Sequence, residues 1–183
     1  MKKLFVALIL LLSIKSFTKA QQMSDSSQTY IAFAPCITNE VGPFKTKFSP
    51  TIEVGKQFDG VFTAGLAIGK TNCTNRGYDD IYLEFRPNIN VFQLGRFTNT
   101  LTTGVGYVCE PNESLLLELT TGIEYDYSSR WHLNVFFGNY YYSGFYNDVT
   151  QTPPHKDVTF FGFSIVEFFK PSHTKGLFKV KNT

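Results

Sequence analysis

The stretch Leu115–Tyr127, LLLELTTGIEYDY, decides how this chain folds. Its odd positions are Leu115, Leu117, Leu119, Thr121, Ile123, Tyr125 and Tyr127, and its even positions are Leu116, Glu118, Thr120, Gly122, Glu124 and Asp126. Successive side chains of a strand point to opposite faces, so the segment has one greasy face and one carrying acids, a threonine and a glycine. A helical period scatters both sets. After Ser128, Ser129 and Arg130 the alternation resumes, with Trp131, Leu133, Val135 and Phe137 against His132, Asn134, Phe136 and Gly138. Two alternating runs separated by so short a polar break form a hairpin.

The same pattern extends outward from this hairpin. Upstream, Phe97, Leu101, Val105 and Tyr107 oppose Thr98, Thr100, Thr102, Gly104 and Gly106, and Ile81, Leu83, Phe85, Ile89 and Val91 oppose Tyr82, Glu84, Arg86, Asn88 and Asn90. Ile52 and Val54 alternate with Thr51, Glu53 and Gly55, and Phe62, Ala64, Leu66 and Ile68 with Thr63, Gly65, Ala67 and Gly69. Asp59-Gly60 between these two runs is a strong hairpin turn. Tyr30 to Thr38 and Val158 to Phe169 bring the expected number of strands to eight.

Alternation alone does not say which face is inside. A soluble antiparallel domain turns its greasy face inward. An outer-membrane barrel turns it to lipid and fills its lumen with polar residues and glycines. Connection lengths favour the second plan: Gln57 to Gly60, Leu94 to Arg96 and Ser128 to Arg130 are short, whereas Asn39 to Lys47, Thr71 to Asp80 and Ser143 to Lys156 are long. Short turns at one rim and long loops at the other are the outer-membrane arrangement. Aromatics cluster at both ends of the strands, Tyr125, Tyr127 and Trp131 by a turn and Tyr140, Tyr141 and Tyr142 by a loop, as in interfacial girdles. Pro87 and Pro35 oppose the plan, because proline interrupts a ladder, and strand four is expected to bulge or end at Pro87.

The N-terminus has its own signal. Lys2 and Lys3, an apolar run from Leu4 to Leu12, then Thr18 and Ala20 before Gln21, have the make-up of a secretory signal peptide over residues 1–20. That run is too short to cross a bilayer as a helix. Without it the chain has 13 basic and 15 acidic residues, a net charge of −2, which removes the basic face that nucleic-acid binding needs. The remainder suits one domain: a polar segment 21–29, a β domain 30–169 and a polar tail 170–183.

From Tyr30 to Phe169 the alternation, rim asymmetry and aromatic closing run Phe161, Phe163, Ile165 and Phe169 resemble the small eight-stranded outer-membrane β-barrels of Gram-negative bacteria. The expected fold is all-β, a single antiparallel up-and-down barrel of about eight strands. An interior only wide enough for side chains excludes a general diffusion pore. The expected protein is exported to the outer membrane, with lipid as its surroundings and a structural or surface-interaction role through loops rich in Tyr, Asn and Thr. The alternative is a soluble secreted or periplasmic β-barrel or sandwich that binds an apolar ligand within its greasy parity.

Chemistry-bearing motifs are sparse. His132, His155 and His173 stand apart with no partner at metal-ligand spacing, and Asn134 stands where a histidine–serine pairing near His132 would need a hydroxyl. There is no nucleophile elbow and no phosphate loop. No enzymatic activity, cofactor or metal is expected. Two groups of residues matter structurally. Cys73 and Cys109 approach the loop rim and are the expected disulfide pair in an oxidising compartment. Glu53, Glu84, Glu118 and Glu124 share the polar parity with Arg86 and are expected to form an interior charge cluster.

Overall fold

The computed structural model describes residues 27–40, 46–71, 80–109, 113–144, 155–170 and 175–179. The signal-peptide region 1–20 lies outside them, as does most of segment 21–29. The strands are β1 Gln28–Glu40, β2 Thr46–Phe58, β3 Phe62–Thr71, β4 Asp80–Leu94, β5 Phe97–Val108, β6 Ser114–Asp126, β7 Trp131–Gly144, β8 His155–Phe168 and a short β9 Phe178–Lys179. From β1 to β8, each strand pairs antiparallel with the next. The ring closes where β1 meets β8, with Tyr30 opposite Phe168 and Ile37 opposite Phe161. The result is a closed eight-stranded antiparallel barrel. No helix among the described residues is long and apolar enough to cross a membrane, which says nothing against crossing by strands.

The hairpin read first has the expected register, Leu119 facing Asn139 and Asp126 facing His132. Asp59 and Gly60 both take positive φ, 50° and 73°, which matches the right-handed twist of the flanking strands. Connections at one rim are 59–61, 95–96 and 127–130, and at the other 41–45, 72–79, 109–113 and 145–154.

Burial settles the choice of face. In β6, Leu119 is 59% exposed and Ile123 56%, whereas Leu116 is fully buried and Glu118 and Thr120 nearly so. The inversion recurs around the ring: Ile52, Leu66, Leu83, Val105, Val135 and Phe163 face outward, while Thr51, Glu84, Thr102, His132 and Ser164 are buried inside. An apolar ligand enclosed by the greasy parity therefore has no place in this fold, because that parity is the outer wall.

The prolines are absorbed and not avoided. β4 runs through Pro87, which pairs with Ala64 of β3. The ladder to β5 lapses at Arg86 and Pro87 and resumes at Asn88 with Thr102 in the same register. The bulge expected at Pro87 lies instead between Asn90 and Phe92. It adds one residue to the strand, so Phe92 and Leu94, although on the even parity, point outward. Pro35 sits inside β1 opposite Pro50 of β2, with a matching lapse in the pairing to β8.

The tail is more structured than its composition implies. The last residues of β4 extend past the start of β3 and leave an edge that β9 occupies in parallel, Phe178 beside Phe92 and Lys179 beside Gln93. The Lys175 and Leu177 amides donate to the Gly60 and Asn90 carbonyls at 2.7 and 2.9 Å.

Candidate functional site

The inward parity stacks three kinds of side chain along the barrel axis. Towards the loop rim Tyr82, Val108, Leu116, Tyr140, Tyr142, Val158 and Phe160 form an apolar cluster. The Tyr140 and Phe160 rings stack at 4.2 Å, and the Tyr82 hydroxyl lies 2.6 Å from Thr51 Oγ1. Sequence reasoning placed Tyr140, Tyr141 and Tyr142 together in an outer girdle. Only Tyr141 faces outward, since alternation sends its neighbours into the lumen. Exposed aromatics at the rims include Phe48, Tyr107 and Tyr141 by the loops, and Phe62, Phe97, Tyr127, Trp131 and Phe169 by the turns.

The middle layer is charged. Arg86 clamps Glu118 with two parallel bonds, Nε to Oε2 and Nη2 to Oε1, both 2.7 Å, and its Nη1 donates to Glu53 Oε2 at 2.8 Å. Planar two-point pairing of this kind is the strongest form of charge-assisted hydrogen bond. Thr120 donates to Glu118 at 2.6 Å, and Tyr30 to Glu53. Glu84 is the weakly held member: its carboxylate stands 3.8 Å from Arg86 Nε, and no hydrogen-bond donor among the described residues reaches either oxygen. Space for these groups comes from glycine on adjacent strands, since a Cβ on Gly104 would collide with the Glu84 carboxylate and one on Gly65 with that of Glu53. Of the five residues expected to cluster, Glu53, Glu84, Arg86 and Glu118 meet here. Glu124 does not.

Glu124 belongs to a third group, near the turns, that sequence reasoning missed. His132, read as an isolated histidine, is fully buried, with Nδ1 2.9 Å from Glu124 Oε1 and 3.5 Å from Asp126 Oδ1. Its ring packs on Phe168 at 4.7 Å. The donor atoms of Glu124, Asp126 and His132 all lie within 4.8 Å of one another, a set able to hold a metal ion. The signal was in the hairpin: across the 127–130 turn, Asp126 pairs directly with His132 and Glu124 is two residues back on the same face. Spacing along the chain hides this, and the strand register reveals it.

Between the charged layer and this trio lies a cavity of about 60 Å³, lined among others by Arg86, Asn88, Thr102, Glu124, Asn134 and Ser164. It has room for a few waters and is far smaller than a small-molecule pocket. Of the cysteines, Cys36 is buried on the interior wall and Cys109 is exposed just past β5. Cys73, the expected partner of Cys109, lies outside the described residues, as does most of the loop rim.

No family model matches the sequence, and no curated protein matches it. Among solved structures the chain is similar to Neisserial surface protein A, at 11% identity over 77% of this chain and 96% of that one, with a TM-score of 0.52. It is similar also to the de novo designed TMB2.3, at 14% identity over 81% and 100% of the two chains, with a TM-score of 0.51. The likeness is one of fold: this chain has the architecture of the small eight-stranded outer-membrane barrels.

Proposed function

We propose that this protein is an exported, non-enzymatic β-barrel of a bacterial outer membrane, whose packed interior is structural and whose long-connection rim is a surface for interaction. The observation that carries the reading is the outward apolar parity, continuous around the ring from Phe33 and Ile52 to Leu119, Val135 and Phe163. Soluble monomers rarely expose contiguous apolar surface beyond a few hundred Å², and among the described residues no protein layer covers this face. Lipid is the solvent that suits it. The basic and apolar first twenty residues support export, and the name of the fold neighbour, a surface protein, agrees with an exposed location. Loops rich in Tyr, Asn and Thr supply adaptable polar contacts at the rim, while the aromatic cluster beneath them supports a closed lumen over a diffusion pore.

Cell fractionation tests the reading. The mature protein is expected in the outer-membrane fraction, soluble only with detergent, and as a compact band on unboiled gels that shifts on heating. Recovery in soluble periplasm or medium overturns it.

A further inference from the structure

We propose that Glu124, Asp126 and His132 form a binding site for one divalent transition-metal ion of the zinc class at the turn end of the barrel interior. The donor set is one imidazole nitrogen and two carboxylate oxygens, the kind that catalytic-type zinc sites combine with water to complete four-coordination. Zinc bonds to such donors are about 2.0–2.2 Å long, which in a tetrahedron separates the donors by roughly 3.3–3.6 Å. The structure already holds Nδ1 of His132 3.5 Å from Asp126 Oδ1, within that range, and 2.9 Å from Glu124 Oε1, which must open by about half an ångström, while the two carboxylates, within 4.8 Å, close on the ion by side-chain rotation. On binding, the ion takes the Nδ1 lone pair in place of a proton there, and the imidazole proton resides on Nε2.

Three further features favour a built site. The trio sits on paired backbone, with the Asp126 amide extending the ladder by donating to the Arg96 carbonyl at 2.9 Å, so both strands hold the donors in place. Side-chain exposure rises from 0% at His132 through 10% at Glu124 to 20% at Asp126, a graded opening through which an ion and a water ligand can pass. Charge also fits: a dication suits two neighbouring carboxylates, while Arg86 is engaged by Glu118 and Glu53. Calcium and magnesium suit the site less, since they call for six or more oxygen ligands and reject nitrogen.

The test uses the full-length mature protein folded in detergent and stripped with a chelator. One equivalent of Zn²⁺ is expected to bind and to raise the heat-unfolding midpoint progressively with ion concentration. His132→Gln and Glu124→Gln should each weaken binding at least about tenfold, while Glu167→Gln on the outward parity leaves it unchanged. Should a variant fail to fold, the wild-type protein still decides. Co²⁺ must give the intense visible bands of a low-coordinate site, and Zn²⁺ must shift the nitrogen resonance of one imidazole as ligation through Nδ1 requires. A midpoint indifferent to Zn²⁺, equal stabilisation by Ca²⁺, or wild-type affinity in His132→Gln, which would locate the ion at His155 or His173, each overturns the proposal.

Discussion

Arg86 is one guanidinium among three carboxyls, Glu84 and Glu118 buried and Glu53 half-buried, and the bonds it makes are unequal. Glu118 receives two, Glu53 one, and Glu84 only a contact at 3.8 Å. Removing the cation leaves the Glu118 and Glu53 charges without their partner in a low-dielectric lumen, so Arg86→Leu is expected to cost about 3 to 5 kcal/mol. Arg96 lies in an exposed turn where water solvates its charge, and Arg96→Leu should leave the midpoint of urea unfolding in lipid or detergent unchanged. Equal midpoints for the two variants would contradict a clamped interior. Glu84 contributes differently. It lies against Glu118 with no other donor on its buried oxygens among the described residues, and two carboxyls so close in a dry lumen hold a proton between them. An amide of the same shape keeps a donor to Glu118, so Glu84→Gln is expected to hold the midpoint within about 1 kcal/mol in the same measurement. A fall as large as that of Arg86→Leu would contradict a neutral Glu84.

The elements differ in how far the sequence disclosed them. β6 and β7 were legible almost residue by residue because one face is buried and a register slip would exchange the two faces. The bulge beyond Asn90 was not, since Val91 and Phe92 are both apolar and an added residue leaves no mark in such a run. β9 was hidden for a different reason. A two-residue parallel pairing has no period to read, and it exists only because β4 outruns β3 and exposes an edge. A stop in place of Lys175 removes the amide bonds from Lys175 and Leu177 and uncovers that edge. The expected loss is about 1 to 3 kcal/mol with the heat-shifted band retained, measured by urea unfolding beside the full chain. Failure to form the compact band would mean that the tail is required for closure.

For the whole molecule, alternation in the sequence determined that strands have two unlike faces, and closure determined which face is out. Rim asymmetry in the sequence pointed to the answer, but the His132 trio and the inward Tyr140 and Tyr142 needed the register of neighbouring strands, which one strand's periodicity does not carry. Closure also reaches a residue assigned no role so far. Cys36 is 2% exposed on the inner wall, beside Gly162 and under the aromatic cluster, where a reagent meets it only after strands part. With Cys73 and Cys109 replaced by serine, the remaining thiol should resist alkylation in the folded barrel and react stoichiometrically in urea. Rapid labelling of the folded form, followed by mass spectrometry, would contradict a sealed wall. Between those limits the alkylation rate times each excursion of the cylinder, so this one sulfur serves as a stopwatch for how often the wall opens.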